Sequence, residues 1–329
     1  MPRRNLTATK IWVHPRRKVS TLIKLDEIPG KDEQKHDYLS LFYGFAMEVT
    51  HSHLHNSQRE QWTNVLDVPA PRGRTVLIET ETGKYGEEGT AVNINTGLND
   101  FAYSADHSIQ VRTHGMLVVP KGEQYAILFQ ERSNGRCGVG RLHEVFVKRF
   151  QSTFPKLMVK ATPVLESEAW LDAAELMEIQ VEVTKPSSDE ADFDIPALSQ
   201  ATFSYNIRPS SDQKALPRKI YDQLMGRNIK PGQLIGLSKG TETGKTIVTF
   251  AKDGRRKSFE LHHENQPVAS ILLTDHGEDA LTQPLIRGRC IDEAAEYFPM
   301  MGIEWNEKMA HGDWSQDQLD VRTVKPDDE

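Results

Sequence analysis

The chain has 329 residues, of which 26% are charged and 37% hydrophobic, with a formal net charge of −7. Its length suits two domains better than one, and the apolar share suffices for a core. Two cysteines, Cys137 and Cys290, exclude a disulfide framework and a thiolate zinc site, and no stretch approaches the roughly 18 consecutive apolar residues of a membrane helix.

The N-terminus reads Met1-Pro2-Arg3-Arg4 and continues through Asn5, Thr7, Thr9 and Lys10, where an export signal would carry an apolar block. A cytoplasmic setting is therefore expected, with no membrane partner. Leu6 to Val13 alternates loosely and predicts a strand that His14-Pro15 ends, because proline gives no ladder donor. Val19 to Ile28 predicts a second strand, closed by Pro29-Gly30. Asp37 to Met47, whose aromatics Tyr38, Phe42, Tyr43 and Phe45 serve a helix or a buried strand, leans to helix or a mixed segment. Arg74–Thr80 and Ala91–Ile94 read as strands. Met116–Val119 and Tyr125–Gln130 form a strand pair joined by the tight turn Pro120-Lys121-Gly122-Glu123.

Beyond them Ser133-Asn134-Gly135, Gly138 and Gly140 lead into Arg141–Phe150. There Leu142, Val145, Phe146, Arg149 and Phe150 recur at helical spacing. Leu157–Leu165 and Met177–Val183 predict strands around a short helix, Glu168–Leu176. A polar, acidic, proline-bearing stretch at 186–196 reads as a linker. It separates an N-terminal α+β domain, 1–185, from a hairpin-rich α+β domain, 197–315. The second domain carries Thr202–Ile207, a helix from Ser211 or Asp212 to Met225, and strands at Gln233–Ser238, Thr246–Phe250, Ser258–His262 and Val268–Leu273. Helical material at Ile291–Phe298 precedes an acidic tail, 316–329, expected to be disordered. The expected class is α+β, mostly antiparallel sheets with a few packed helices, in two parts.

Charge is segregated along the chain. The first 24 residues hold seven Lys/Arg and no acid, residues 214–257 hold eleven Lys/Arg against three acids, and residues 164–200 hold ten acids against Lys185 alone. Basic segments attract polyanions when they share a face, and opposite blocks can equally neutralise one another across a domain or homo-oligomer contact.

The run Gly240-Thr-Glu-Thr-Gly244-Lys245-Thr246 has three residues between its glycines where a phosphate loop has four. Thr246–Phe250 after it is β-branched, so a hairpin turn is expected and no nucleotide hydrolase. His51-Ser-His53-Leu-His55 would project three imidazoles from one side of a strand, the candidate site for a divalent metal. Glu79-Thr-Glu81-Thr-Gly-Lys84 has the residue types of a metal nuclease at the wrong spacing. No Gly-x-Ser-x-Gly elbow occurs, and neither cysteine has a nucleophile's setting. Lys239, Lys245, Lys252, Arg255, Arg256 and Lys257 lie in or beside predicted hairpin turns, with Arg255-Arg256-Lys257 suited to successive phosphates. Aromatic residues are sparse around them, so base stacking is not indicated there.

The unit Tyr125-Ala-Ile-Leu-Phe-Gln130, a glycine-bearing turn, and Gly140-Arg-Leu-His-Glu-Val-Phe-Val-Lys-Arg-Phe150 is followed by strands, an acidic loop, a helix and basic hairpins. This order of elements resembles that of the RexA-type phage-exclusion and abortive-infection proteins, over about two-thirds of the chain. The resemblance implies a cytoplasmic dimer that binds DNA with little sequence preference and acts in defence against phage. It carries over no catalytic residue. The leading expectation is a nucleic-acid-backbone binder without a cofactor, a component of a defence or prophage system with an effector encoded nearby. The alternatives are a metal-dependent enzyme, such as a nuclease, at His51, His53 and His55, and a protein-interaction scaffold.

Overall fold

The computed structural model describes residues 2–30, 34–50, 52–164, 171, 173–185, 202–226, 228–237, 242–252, 255–261, 270–315 and 318. The described residues form five α-helices and fifteen strands, an α+β fold with mostly antiparallel sheets. The chain divides into two compact units, residues 1–162 together with those from 273 onward, and residues 163–272. That division departs from the expected boundary at 186–196, a stretch outside the described residues. Residues 316–329 also lie outside them, apart from Gln318.

In the first unit, β1 (Arg4–Pro15), α1 (Tyr38–Glu48), β4 (Gln61–Asp67), β5 (Thr75–Lys84), β8 (Val111–Val118), β9 (Tyr125–Ser133), α2 (Gly138–Thr153) and β10 (Leu157–Pro163) make the framework. Two short ribbons accompany it, β2 (Ile28–Pro29) with β3 (Lys35–His36), and β6 (Gly89–Val92) with β7 (Asn99–Tyr103). The sheet order is β1-β9-β8-β5-β4, and β10 also pairs with β1. Register assigns the faces, because directly opposed residues point the same way. Leu117 opposes Leu128, and both join α1 and α2 in one apolar cluster. Met116 opposes Phe129, whose ring stacks against Tyr297 of a further helix over residues 283–300, 6.4 Å between centroids. Helices therefore cover both faces of this sheet.

Asp37 caps α1 by accepting from Leu39 N at 2.9 Å. The aromatic positions that left helix and strand open in the sequence all turn inward. Phe146 of α2 sits among them, 5.1 Å from Phe42, 5.3 Å from Tyr38 and 5.6 Å from Phe45 between centroids. Val139, Leu142, Phe146 and Phe150 are buried at helical spacing on one side of α2.

The second unit contains β11 (Glu175–Lys185), β12 (Phe203–Ile207), α3 (Arg218–Met225), α4 (Pro231–Leu234), β13 (Glu242–Lys252), β14 (Arg255–Glu260) and the start of β15 (Ser270–Thr274). Its strands run β12-β11-β13-β14-β15. β11 was expected to close the N-terminal domain, but it pairs with β13, which assigns it to the second unit. The last helix, α5 (Gln283–Met300), belongs to the first unit.

Among the described residues several expected elements differ. Gly244 and Lys245, expected in a hairpin turn, lie inside β13. Val19–Ile28 is coil apart from Ile28, tied by single bonds such as Ile23 N to Val13 O at 3.0 Å, and Val19 is 63% exposed. The helix expected from Ser211 begins only at Arg218, because Pro217 occupies its N-cap. Gln233 lies in a single helical turn rather than a strand, since Pro231 at the first helical position favours helix entry.

Candidate functional site

The β9–α2 connection is local chemistry that the sequence displays. Asn134 and Gly135 take φ of +49° and +77°, while Ser133 and Arg136 exchange backbone hydrogen bonds of 3.1 and 3.0 Å. A two-residue turn with both φ positive suits Asn-Gly. Cys137 then stands at the N-cap of α2, which has no side-chain cap and no acid in its first turn. The first helical amide, Gly138 N, donates to Thr113 Oγ1 at 3.4 Å, and the dipole end keeps its positive character.

Two glycines in that turn serve packing. A Cβ on Gly138 would lie 2.4 Å from Thr80 Oγ1, and one on Gly140 would lie 2.9 Å from Gln130 Oε1. They let the start of α2 settle onto β4, β5, β8 and β9, where buried Thr63 bonds Thr82 and buried Thr80 bonds Thr113. Across from it, the 56–61 turn is closed by Asn56 and Gln61, bonded at 2.9 and 3.0 Å.

Between these segments opens a cleft of about 760 Å³. Five cations line it, Arg59, Lys84, Arg132, Arg136 and Arg141, against two carboxylates, Glu60 and Glu144. Glu144 is engaged by Arg141 at 3.1 Å and Lys148 at 3.8 Å. Among the described residues Arg59, Lys84, Arg132 and Arg136 make no ion pair. Arg132 donates to Thr7 Oγ1 at 3.3 Å and Arg136 to Ile109 O at 3.1 Å, which fixes their direction without neutralising them. The Nε of Arg141 is buried without a partner among the described residues. Cys137 also lines the cleft. Burial pushes its thiol up, opposed by the charge of Arg132 and the amides of Gly140 and Val139. Its Sγ donates to Gln130 Oε1 at 3.5 Å.

No known family model, curated protein or solved structure matches this chain.

The expected hairpin surface breaks up. Lys239 lies outside the described residues, as does the side chain of Arg255. Lys245 is exposed and pairs with Glu260 at 3.6 Å, and Lys252 is half-buried. Arg255-Arg256-Lys257 begins a strand rather than forming a turn, so successive side chains point to opposite faces. Arg256 is exposed, whereas Lys257 is fully buried opposite Phe250, which removes it from any surface contact. The N-terminal cations divide: Arg16, Arg17, Lys18 and Lys24 are exposed, and three others are engaged. Arg3 pairs with Asp275 at 3.3 Å, Arg4 with buried Glu131 at 2.6 Å, and Lys10 sits 5.4 Å from the Trp12 ring.

Of the histidine cluster, His51 lies outside the described residues. His53 stacks on Trp62 at 4.2 Å and His55 on Tyr85 at 5.0 Å. Among the described residues no group of three His, Cys, Asp or Glu side chains could hold a metal. Glu79 and Glu81 face Arg112, while Lys84, of opposite strand parity, enters the cleft.

The cleft cations escaped the sequence reading because they come from three segments joined only by β4–β5–β8–β9 pairing. One local signal existed, the acid-free run Arg132–His143 with three arginines around a glycine-rich helix start.

Proposed function

We propose that this chain binds the phosphate backbone of nucleic acid in the cleft at the start of α2, rather than along the 239–257 hairpins. The observation that carries this reading is a group of four cations that have no carboxylate partner among the described residues, beside a helix N-terminus without a side-chain cap. Arginine forks and terminal amides both favour phosphate oxygens, and contacts to phosphate carry no sequence information, so low sequence preference follows. The proposal extends to a role in phage defence, supported by element order around the strand-turn-helix unit that borders this cleft.

Fluorescence anisotropy with a labelled oligonucleotide at low salt tests the reading. The wild-type chain should bind, and Arg132→Ala/Arg136→Ala should weaken binding at least tenfold. Equal affinity for that variant would remove the cleft from the account.

A further inference from the structure

Four rings stand across the β4 edge from the cleft: none lines it, and Trp62, alternating with Gln61 along the strand, points to the opposite face. His53 and Trp62 lie 4.2 Å apart at an interplanar angle of 32°, and His55 and Tyr85 lie 5.0 Å apart at 20°. A T-shaped contact of 6.0 Å between His55 and Trp62 links the two stacks. Both imidazoles are exposed, whereas Trp62 and Tyr85 are half-buried. Leu54, buried between the histidines and bonded through its amide to Thr63 O at 2.7 Å, pins the segment to β4.

The same residues that line the cleft hold these rings. Arg141 donates to His55 O at 2.7 Å, Tyr85 directly follows Lys84, and Tyr85 N donates to Glu60 O at 3.1 Å.

We infer that the cleft and the two ring stacks together form a binding surface for single-stranded nucleic acid, an inference that rests on the phosphate-binding reading of the cleft. Backbone phosphates occupy the cleft, and unpaired bases further along the same strand, past the β4 edge, stack on the outer faces of His53 and His55, backed by Trp62 and Tyr85. Duplex bases are already covered above and below, so only an unstacked base can use such a platform. Every base has a π-face, so stacking adds affinity without a sequence code. The backing rings hold each imidazole in place before a base arrives, which lowers the ordering cost of binding.

The test titrates the full chain at low salt with equal-length single-stranded, abasic and duplex oligomers, in DNA and in RNA. The base-bearing strand should bind about tenfold tighter than the abasic strand. It should also quench the Trp62 emission, isolated by difference from Trp62→Phe. His53→Ala/His55→Ala, at exposed positions, should abolish the preference without changing abasic affinity, and His53→Phe/His55→Phe should restore it. Equal affinity for base-bearing and abasic strands in both sugars, or a preference retained without the histidines, overturns the inference while the cleft reading stands. Failure of all oligomers to bind overturns both.

Discussion

Replacing Arg4 by Met should cost about 3–5 kcal/mol of stability, because it strands a buried carboxylate. Glu131 has no exposed side-chain surface and accepts three hydrogen bonds, from Arg4 Nη1 at 2.6 Å, His114 N at 2.8 Å and His114 Nδ1 at 2.9 Å. Losing the charged bond from Arg4 alone removes about 1.5–3 kcal/mol, and the desolvated charge left behind supplies the rest. Burial by itself would raise the Glu131 pKa, but the bonds from His114 and Arg4 outweigh it and hold the value below 4.5. A lowered folded pKa gives stability that is present above the unfolded value and is lost as pH falls through the folded one. Without Arg4 burial gains weight and the folded pKa moves up. The deficit of the variant should then shrink between pH 7 and pH 5, as protonation removes the buried charge. Urea unfolding at both pH values measures this. Arg4→Met/Glu131→Gln should recover part of the loss, since it removes both charges. A single variant within about 0.5 kcal/mol of wild type at pH 7, or a deficit that grows on acidification, would refute the reasoning.

Gly138→Ala should lower the thermal midpoint by a few degrees, since its Cβ would meet Thr80 Oγ1 at 2.4 Å and overpacking costs about 1–3 kcal/mol. Calorimetry showing a higher midpoint would mean the helix start is looser than described. His143, buried beside Tyr38 Oη at 3.2 Å, has its pKa lowered by burial to about 4. Its neutral form is favoured in the fold, so stability should fall as pH drops from 6.5 to 4, by roughly 3 kcal/mol at most. His143→Leu should flatten that part of the stability-against-pH curve. Lys245→Ala and Arg256→Ala should leave oligonucleotide affinity within about twofold of wild type in anisotropy, because single surface charges without a phosphate contact contribute little.

What the sequence displayed was local. The Asn134-Gly135 turn and the apolar spacing of α2 are decided within a few residues, and both stand as read. β4 was missed because Gln61-Trp-Thr-Asn-Val-Leu-Asp67 buries only Thr63 and Val65, the pattern of a polar edge strand. Lys257 misled for the opposite reason. Three adjacent cations look like a solvated turn, yet strand alternation drives the third inward beside Phe250 and Phe259. The bases of the N-terminal segment gave no sign that Arg4 would close a bond with Glu131, 127 residues away. The cleft itself was illegible for that reason too. Its cations acquire a common setting only after four strands have paired.

The salt dependence of oligonucleotide binding tests the central claim most directly. Each lost phosphate contact lowers the slope of log Kobs against log salt by about 0.7 for a single strand. Arg59→Ala/Arg132→Ala/Arg136→Ala should reduce the slope by about 2, while Lys245→Ala/Arg256→Ala should leave it unchanged. A slope that falls with the hairpin pair and not with the cleft triple would contradict the account.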